Sequence, residues 1–517
     1  MLYFINFGMP DYKSGIEHAE LKRLRLFEQH HYPCKIITRD WSRILHKTAA
    51  NAGVDDQHLL SMFDYFQGTD KVPKRRVTVD DIDLGMTNLS RVKDETNQRY
   101  LISRPDNRLL ARVNYDRQDE EQVTTVELFD GYGNLYRVDN YDSRGFRSLL
   151  QWYSPDNKID NEEWLTPEGQ VVIRSFHKLD ARGKLTITGW WLQDRKQYVH
   201  QFATMDQLFA YFLNVINETG KNTFILDRSL LADDALIHLE CPAYTVMHLH
   251  NSQAGNAQEP LHSILNNNYE YALVNINKYS AYICATARQT KDVIARFHPT
   301  CDMYTIPVGI IPEKQLNASR VPEEQRTFGK IIAVARIARE KNLGDLIKAV
   351  KIAHDQVPAV TLDLYGYPDS ANNYEEKRKL TKLIQDLDLK DVVTFKGYTN
   401  DVEAVENDAQ IFGLTSTMEG FNLSIMEAIS HGVVGVTYDV NYGPNDIVQD
   451  GQNGYVVGYG DYRAVAKRII ELLQDPALMQ KMSDGAYDSA VRYSPDNVWQ
   501  GWEKLIKTAQ ERLKEGR

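Results

Sequence analysis

Residues 330–457 of this 517-residue chain alternate short runs of apolar and β-branched residues with amphipathic stretches of helical length. The runs are KIIAVAR (330–336), VTLDLYG (360–366), VVTFKG (392–397), IFGLT (411–415), GVVGVTYD (432–439) and YVV (455–457). Strands joined by helical connections pair in parallel, because each helix returns the chain to the same end of the sheet. The pattern predicts a doubly wound parallel sheet, which binds ligands beyond the carboxyl ends of its strands.

The N-terminal half has a similar α/β pattern that is interrupted once. A strand (2–6), an amphipathic helix (15–30) and a second strand (34–38) open it, and four more predicted strands follow later at 224–226, 244–248, 282–284 and 304–307. In the interruption, short runs rich in Val, Ile, Tyr, Trp and Thr at 125–129, 135–138, 171–176 and 185–191 are separated by Gly, Pro, Asn and Asp. This spacing predicts an antiparallel β-meander.

The predicted architecture is α/β, with two Rossmann-like domains facing a cleft and an inserted antiparallel sheet. Residues 317–327 are polar and charged and suit an interdomain linker. We expect these boundaries: an N-terminal domain at 1–74 and 201–316, the insertion at 75–200, a C-terminal domain at 317–493, and a terminal helix at 494–517 that packs back on the first domain.

The composition is that of a soluble globular protein, with 42% hydrophobic and 25% charged residues and no apolar run of membrane-spanning length. The first ten residues have no basic leader, so we expect a cytoplasmic protein. The four cysteines have no CxxC spacing, which argues against a disulfide framework or a zinc site. The net charge of −11 argues against a nucleic-acid partner.

Two groups of residues at predicted strand ends have the chemistry of an anion site. Arg336 and Lys341 follow the first C-terminal strand, where two cations can neutralise a diphosphate. A solvated basic turn is the alternative. After strand 411–415, a predicted helix opens at Gly420, so the amides of Phe421, Asn422 and Leu423 point at an anion.

Two glutamates flank this helix start. Glu419 lies in the loop and can hold sugar hydroxyls, whereas Glu427 lies along the helix and can hold both hydroxyls of a ribose. A glycosidase pair of acid and nucleophile is the competing interpretation, and two exposed glutamates without function are the other. The surrounding cations and the helix terminus favour a phosphate-containing ligand.

Two further segments carry weaker signals in the N-terminal half. His248 and His250 end a predicted strand on the same side, where one can contact a ligand while the other packs. Ser14 and Gly15 lie between the first strand and helix, where a glycine lets the backbone approach phosphate. Structural histidines and a packing glycine are the alternatives.

The spacing Arg336-x4-Lys341 and Glu419-x7-Glu427, with GFNLS between the glutamates and YGPNDIVQDGQNGYVV after them, resembles glycosyltransferase family 4, of the GT-B type. SGIEHAELKRLRLF (14–27), followed by the insertion, resembles two bacterial groups within it. These are the transferases of serine-rich-repeat adhesins and the poly(glycerol or ribitol phosphate) sugar transferases of teichoic acid. The resemblance covers nearly the whole chain.

The resemblance implies a retaining enzyme with a nucleotide-binding C-terminal domain and an acceptor-binding N-terminal domain. Arg336 and Lys341 would bind the donor diphosphate, Glu427 the ribose and Glu419 the sugar. Ser14 and Gly15 would lie against phosphate, and Tyr398 would lie beside the base. His250 matches the active-site histidine better than His248, although both stay open. No metal or other cofactor is implied, because the cations stabilise the leaving group.

The first functional hypothesis is transfer of glucose or N-acetylglucosamine from a UDP-sugar to a serine-rich adhesin, on Ser, Thr or a sugar already attached. The alternatives are a teichoic acid transferase and a non-catalytic partner subunit that binds the acceptor. The acidic net charge favours the adhesin, whereas the basic segment KVPKRR (71–76) favours the polyanion. We also expect a similarly folded partner subunit and self-association through the insertion, which contains Trp152, Trp164, Trp190 and Trp191.

Overall fold

The computed structural model describes residues 1–11, 13–119 and 121–515. The strands are β1 (Leu2–Asn6), β2 (Cys34–Thr38), β3 (Leu59–Ser61), β4 (Ser90–Asp94), β5 (Arg99–Ser103), β6 (Leu109–Asp116), β7 (Gln122–Phe129), β8 (Leu135–Tyr141), β9 (Arg147–Tyr153), β10 (Ile159–Leu165), β11 (Val171–Leu179), β12 (Leu185–Gln193), β13 (Val199–Phe202), β14 (Thr223–Leu226), β15 (Tyr244–His248), β16 (Ala281–Cys284), β17 (Asp302–Thr305), β18 (Lys330–Val334), β19 (Thr361–Tyr365), β20 (Val393–Gly397), β21 (Ile411–Leu414), β22 (Val434–Tyr438) and β23 (Gly454–Val457).

The helices are α1 (Gly15–Gln29), α2 (Leu45–Asn51), α3 (Met62–Gln67), α4 (Met205–Ile216), α5 (Asp233–Ile237), α6 (Glu270–Val274), α7 (Ala287–Phe297), α8 (Glu313–Leu316), α9 (Leu343–Gln356), α10 (Ala371–Asp386), α11 (Val402–Asp408), α12 (Leu423–Ser430), α13 (Pro444–Ile447), α14 (Tyr462–Gln474), α15 (Pro476–Ala490) and α16 (Pro495–Glu515). None of the helices within the described ranges is both long and apolar enough to cross a bilayer.

The chain forms two compact units that divide the N-terminal half between them. The first unit is Met1–Glu17 with His31–Thr245, and the second is His18–His30 with Val246–Arg517. In the first unit, four parallel strands lie in the order β14-β1-β2-β3, and the residues of β1 are all buried. In the second unit, β16 pairs in parallel with β15 and β17.

The insertion is a ten-stranded antiparallel sheet in simple sequence order, from β4 to β13. Five-residue connections join most of its strands, and most contain a Gly or Asn at positive φ, as at Gly133, Asn157 and Gly169. Its edge strand β13 has Val199 56% exposed. The meander predicted from sequence is confirmed, although it starts with strands that were not predicted individually.

A buried ionic network fixes the insertion to the α/β part of the first unit. Arg144, in the β8–β9 turn, donates to Asp64 (2.7 Å), Asp142 (2.9 Å) and the carbonyl of Thr69 (2.6 Å). His46 lies 2.7 Å from the other oxygen of Asp64. Burial alone would raise the pKa of Asp64, but His46 and Arg144 outweigh it and lower the pKa to about 2.

The second unit contains a six-stranded parallel sheet in the order β20-β19-β18-β21-β22-β23. Its core is mostly aliphatic, and α9, α12 and α14 pack on the sheet with Leu346, Ile425 and Ile469 fully buried. The strand order reverses between β18 and β21, so the connections leave this point in opposite directions. Such a switch point opens a crevice at the carboxyl ends of the two strands.

The last helix packs on α1 and on the β17 region of the second unit. Trp502 and Trp499 pack edge-on against Phe27 at 5.5 and 5.2 Å, and Trp499 also stacks on His30 at 4.0 Å. Ser494 caps the helix by accepting from the amide of Asn497 at 3.3 Å. The apolar stripe predicted for this helix, Val498, Trp502, Leu505 and Ile506, is buried.

Several predicted element ends are wrong. The strand predicted at 330–336 ends at Val334, so Arg336 lies in the following loop rather than at the end of the strand. The strand predicted at 304–307 is Asp302–Thr305, because its pairing with β16 begins two residues earlier. The boundaries that we proposed for the domains stay a prediction.

Candidate functional site

The candidate site lies at the switch point of the second unit, where loops follow β18 and β21. The first loop contains Arg336 and Lys341, and the second runs from Thr415 to the start of α12. Thr417 donates its amide and its hydroxyl to the carbonyl of Glu340 at 2.8 and 3.2 Å. These bonds hold the two loops together and place their side chains in one crevice.

Lys341 and Glu419 form the central ion pair of the site. The Nζ of Lys341 lies 2.7 Å from Oε1 of Glu419, and the side chains are only 18% and 8% exposed. Asn441 and Tyr442 fix the glutamate backbone: the Glu419 amide donates to the Asn441 carbonyl (3.2 Å), and the Tyr442 amide donates to the Glu419 carbonyl (2.8 Å). The carboxylate is thus held rigidly with one oxygen engaged by a cation.

Arg336 is a more exposed cation at the edge of this loop. Its guanidinium pairs with Glu340 at 2.5 Å and with Asp369 at 3.3 Å, and its side chain is 44% exposed. Because exposed pairs contribute little energy, an anionic ligand can take over this guanidinium at small cost.

The start of α12 differs from the prediction. The helix begins at Leu423 rather than Gly420, since Asn422 has a φ of 73° and caps it by accepting from the Ile425 amide at 3.0 Å. Phe421 is buried against Tyr493, with ring centroids 5.6 Å apart. Leu423 therefore contributes an amide at the first turn, whereas the Phe421 side chain belongs to the core.

Gly420 is required because the backbone of another loop touches it. A Cβ at this position would lie 2.0 Å from the carbonyl oxygen of His250 and 2.8 Å from the Cα of Asn251. Both atoms belong to the backbone, so no side chain can rotate away. The glycine brings the histidine segment against the residue next to Glu419.

The two histidines occupy different environments. His248 is buried, and its Nδ1 lies 3.1 Å from the Arg23 guanidinium, which itself covers Trp502. The ring of His250 lies 4.1 Å from that of His248 and is less buried, while its backbone amide donates to the Tyr269 hydroxyl at 3.0 Å. This geometry favours His250 for contact with a ligand and His248 for packing.

Glu427 lies on α12 and is paired with a residue that the sequence analysis did not single out. Its Oε1 lies 2.5 Å from the Nζ of Lys22 on α1, with side-chain exposures of 33% and 23%. Both predicted donor-binding glutamates are therefore held by a lysine ammonium. A metal ion at either carboxylate would have to displace that ammonium, whereas an anionic or hydroxyl-rich ligand would not.

The remaining predicted residues lie elsewhere. Tyr398 follows β20 and is 53% exposed. In the first unit, Ser14 donates its amide and hydroxyl to Glu17 at 2.8 and 2.5 Å, and Arg228 also pairs with Glu17. Burial would raise the pKa of Glu17, but Ser14 and Arg228 hold it below its ordinary value. Gly15 begins α1, and a Cβ there would meet open space.

Sequence reasoning missed Lys22, Tyr442 and Arg228. Lys22 is separated from Glu427 by 405 positions, so no local pattern could join them. The Tyr442 hydroxyl accepts from Gln253 and donates to Asp292, both at 2.8 Å. Tyr442 belongs to the YGPND segment, and its position after a predicted strand was the one available signal.

Comparison with known proteins agrees with this geometry. Residues 315–489 match the family model described as Glycosyl transferases group 1. The GtfA subunit of UDP-N-acetylglucosamine–peptide N-acetylglucosaminyltransferase from Streptococcus gordonii is 26% identical over 99% of both chains. Poly(glycerol-phosphate) alpha-glucosyltransferase from Bacillus subtilis is 25% identical over 97% of this chain and 74% of its own.

A solved structure supports the same fold. The crystal structure of the pneumococcal O-GlcNAc transferase GtfA in complex with UDP and GlcNAc superposes with a TM-score of 0.80, at 24% identity over 98% of both chains. Membership of family number 4 stays a prediction. The chain has the GT-B fold with an inserted antiparallel sheet, and it carries a group 1 glycosyltransferase domain over residues 315–489.

Proposed function

We propose that this protein is a retaining glycosyltransferase that moves glucose or N-acetylglucosamine from a UDP-sugar to a serine-rich adhesin. The observation that carries the proposal is the buried Lys341–Glu419 pair beside the N-terminus of α12. A cation, a helix terminus and a carboxylate in one crevice suit a ligand with both phosphate and sugar hydroxyls. The family match over these residues supports the enzyme class.

Each side chain then has a role in the transfer. Lys341 and Arg336 neutralise the charge that develops on the departing diphosphate, and the first amides of α12 add to this stabilisation. Glu419 accepts from hydroxyls of the donor sugar, and the close approach of the His250 backbone to Gly420 supports a role for His250 near the reacting carbon. His248, bonded to Arg23, supports His250 by packing.

The nucleoside is assigned to Glu427 and Tyr398. Glu427 accepts from the two ribose hydroxyls, and the backbone at Tyr398 lies beside the base. Ser14 and Gly15, at the start of α1, stay proposed contacts of the donor. Retention follows if the acceptor attacks from the face that the diphosphate leaves, with a phosphate oxygen taking the proton of the acceptor hydroxyl.

The proposal requires no metal ion, because lysine and arginine supply the positive charge. Dialysis against EDTA should leave the transfer rate unchanged, as measured by release of UDP. A loss of activity that Mg²⁺ or Mn²⁺ restores would contradict this part of the mechanism.

The acceptor is assigned by similarity and by charge. Relatives named as peptide N-acetylglucosaminyltransferase GtfA subunits match along their whole length, which supports a peptide acceptor and a partner subunit. The runner-up is a teichoic acid polymer, because Lys71, Lys74, Arg75 and Arg76 of the KVPKRR segment are exposed. Lys74 is paired with Asp119 at 3.1 Å, which reduces the positive charge that the segment offers.

One panel of reactions decides between them. Purified protein is incubated with UDP-glucose or UDP-N-acetylglucosamine and with a serine-rich peptide, its N-acetylhexosamine-bearing form, or a poly(glycerol phosphate). We expect transfer to a peptide form. Transfer to the polymer alone would establish the runner-up, and donor binding without transfer to any acceptor would favour a non-catalytic partner subunit.

Self-association through the insertion is proposed from its exposed edge, where Tyr198 and Val199 are 66% and 56% exposed. Light scattering should give a mass above that of one chain. Introducing a charge by Val199→Lys should lower that mass, whereas an unchanged mass would place the interface elsewhere.

A further inference from the structure

The Lys22–Glu427 pair joins the first helix of the chain to the helix that forms the candidate site. Lys22 lies on α1, in the segment His18–His30 that belongs to the second unit. Its Nζ lies 2.5 Å from Oε1 of Glu427. The lysine was not assigned any role in the proposed transfer.

Three contacts fix the helix that carries this lysine. Phe27 packs against Trp499 and Trp502 of α16, and Arg23, one residue after Lys22, reaches His248. The ammonium therefore projects from a rigid support. Because Lys22 is only 23% exposed, its position is more restricted than that of a surface lysine.

The carboxylate of Glu427 is held by the hydrogen bond from the Lys22 ammonium. Glu427 is the fifth residue of α12, and the interactions of its main chain are with the helix end, where its carbonyl accepts from the Ser430 hydroxyl at 2.7 Å. Behind it lies the fully buried Glu406, which is 2.7 Å from His431. The carboxylates of Glu406 and Glu427 repel each other, and the Lys22 ammonium offsets this repulsion.

We propose that Lys22 is a positioning residue that fixes the charge and orientation of Glu427 so that the carboxylate can accept both ribose hydroxyls of the donor nucleotide. The inference rests on the proposed function, since it needs a ribose at Glu427. An ammonium on one oxygen leaves the second oxygen and further lone pairs free for the two hydroxyl donors. Lys22 and the ribose therefore share the carboxylate.

The test is a double-mutant cycle on the full chain, in which the binding of two nucleotides is measured. Isothermal titration measures the Kd of UDP and of 2′,3′-dideoxy-UDP for wild type, Lys22→Met, Glu427→Gln and the double variant. Lys22→Met should weaken the binding of UDP about tenfold, which is the scale of one hydrogen bond to a charged group. Lys22→Met should change the Kd of dideoxy-UDP less than twofold. In protein that already carries Glu427→Gln, Lys22→Met should raise the Kd of UDP by less than a further twofold.

Two further variants separate positioning from general damage. Lys22→Arg keeps the charge and should recover most of the UDP affinity. Lys351→Met removes another ion-paired helical lysine, bonded to Asp355 at 2.6 Å, and should leave both nucleotides unaffected.

The outcomes separate the two levels of the proposal. UDP affinity that is unchanged or higher in Lys22→Met overturns the role of Lys22, as does an equal loss for UDP and dideoxy-UDP. Wild-type protein that fails to bind UDP overturns the proposed function itself, and the inference with it.

Discussion

Replacing Gly420 by alanine tests whether the contact between the Glu419 loop and the His250 segment organises the site. The added Cβ would lie 2.0 Å from the His250 carbonyl oxygen and 2.4 Å from its carbon. Ordinary contact begins near 3.4 Å, so one of the two backbones must move by more than about 1 Å. Misplacement on this scale costs roughly 10²-fold in rate when it affects groups around a reacting centre.

The expected result for Gly420→Ala is a loss of transfer of about 10²-fold, with a destabilisation of about 1–3 kcal/mol from overpacking. The assay is UDP release at saturating donor and acceptor, together with the urea midpoint followed by circular dichroism. The matched control is Gly344→Ala, where the new Cβ meets only Leu383 and Leu380 side chains at 3.6 and 3.7 Å. That variant should keep both activity and stability. Wild-type turnover in Gly420→Ala would refute the argument that this close approach sets the catalytic geometry.

The other predictions concern the two ionic centres. Glu419→Gln should lower transfer more than about 10²-fold while the protein stays folded by circular dichroism, because the amide cannot replace the carboxylate beside Lys341; full activity would contradict the site assignment. Arg144→Met should lower the free energy of unfolding by about 3–5 kcal/mol, because the buried Asp142 loses this cation and the buried Asp64 keeps only His46; a midpoint equal to that of wild type would exclude a structural role. Asp64 has a folded pKa of about 2, below its ordinary 3.8, so its contribution of about 2 kcal/mol is present above pH 4 and is lost as the pH falls towards 2. Asp64→Asn should reduce the dependence of the free energy of unfolding on pH in that range. An unchanged slope would contradict the low pKa of Asp64.

The periodic segments were predictable because their signal is local. Strands β1, β2 and β15 coincide with the predicted ranges, since short β-branched runs between polar turns leave little choice of element. The sequence also predicted that Lys341 and Glu419 come together, because loops after neighbouring parallel strands meet at one edge of the sheet.

The interactions that could not be predicted from the sequence are those between distant segments. Lys22 reaches Glu427, and Arg144 reaches Asp64, through the folded arrangement alone. The start of α12 was predicted at Gly420, because this glycine was interpreted as the first residue of the helix, whereas the helix starts at Leu423. The actual constraint on Gly420 is steric and comes from the His250 backbone, 170 positions earlier in the chain. Local patterns contain no information about such contacts.

The ionic anchor of the insertion has a consequence for protein engineering. Gln67 donates to the carbonyls of Ser148 and Leu165 at 3.0 and 2.6 Å, and Asp64 depends on Arg144. A truncated version without the sheet would remove the hydrogen-bond partners of Gln67 and the arginine that pairs with Asp64. The insertion therefore depends on its contacts with α3, and transferring it to another scaffold requires transferring α3 with it.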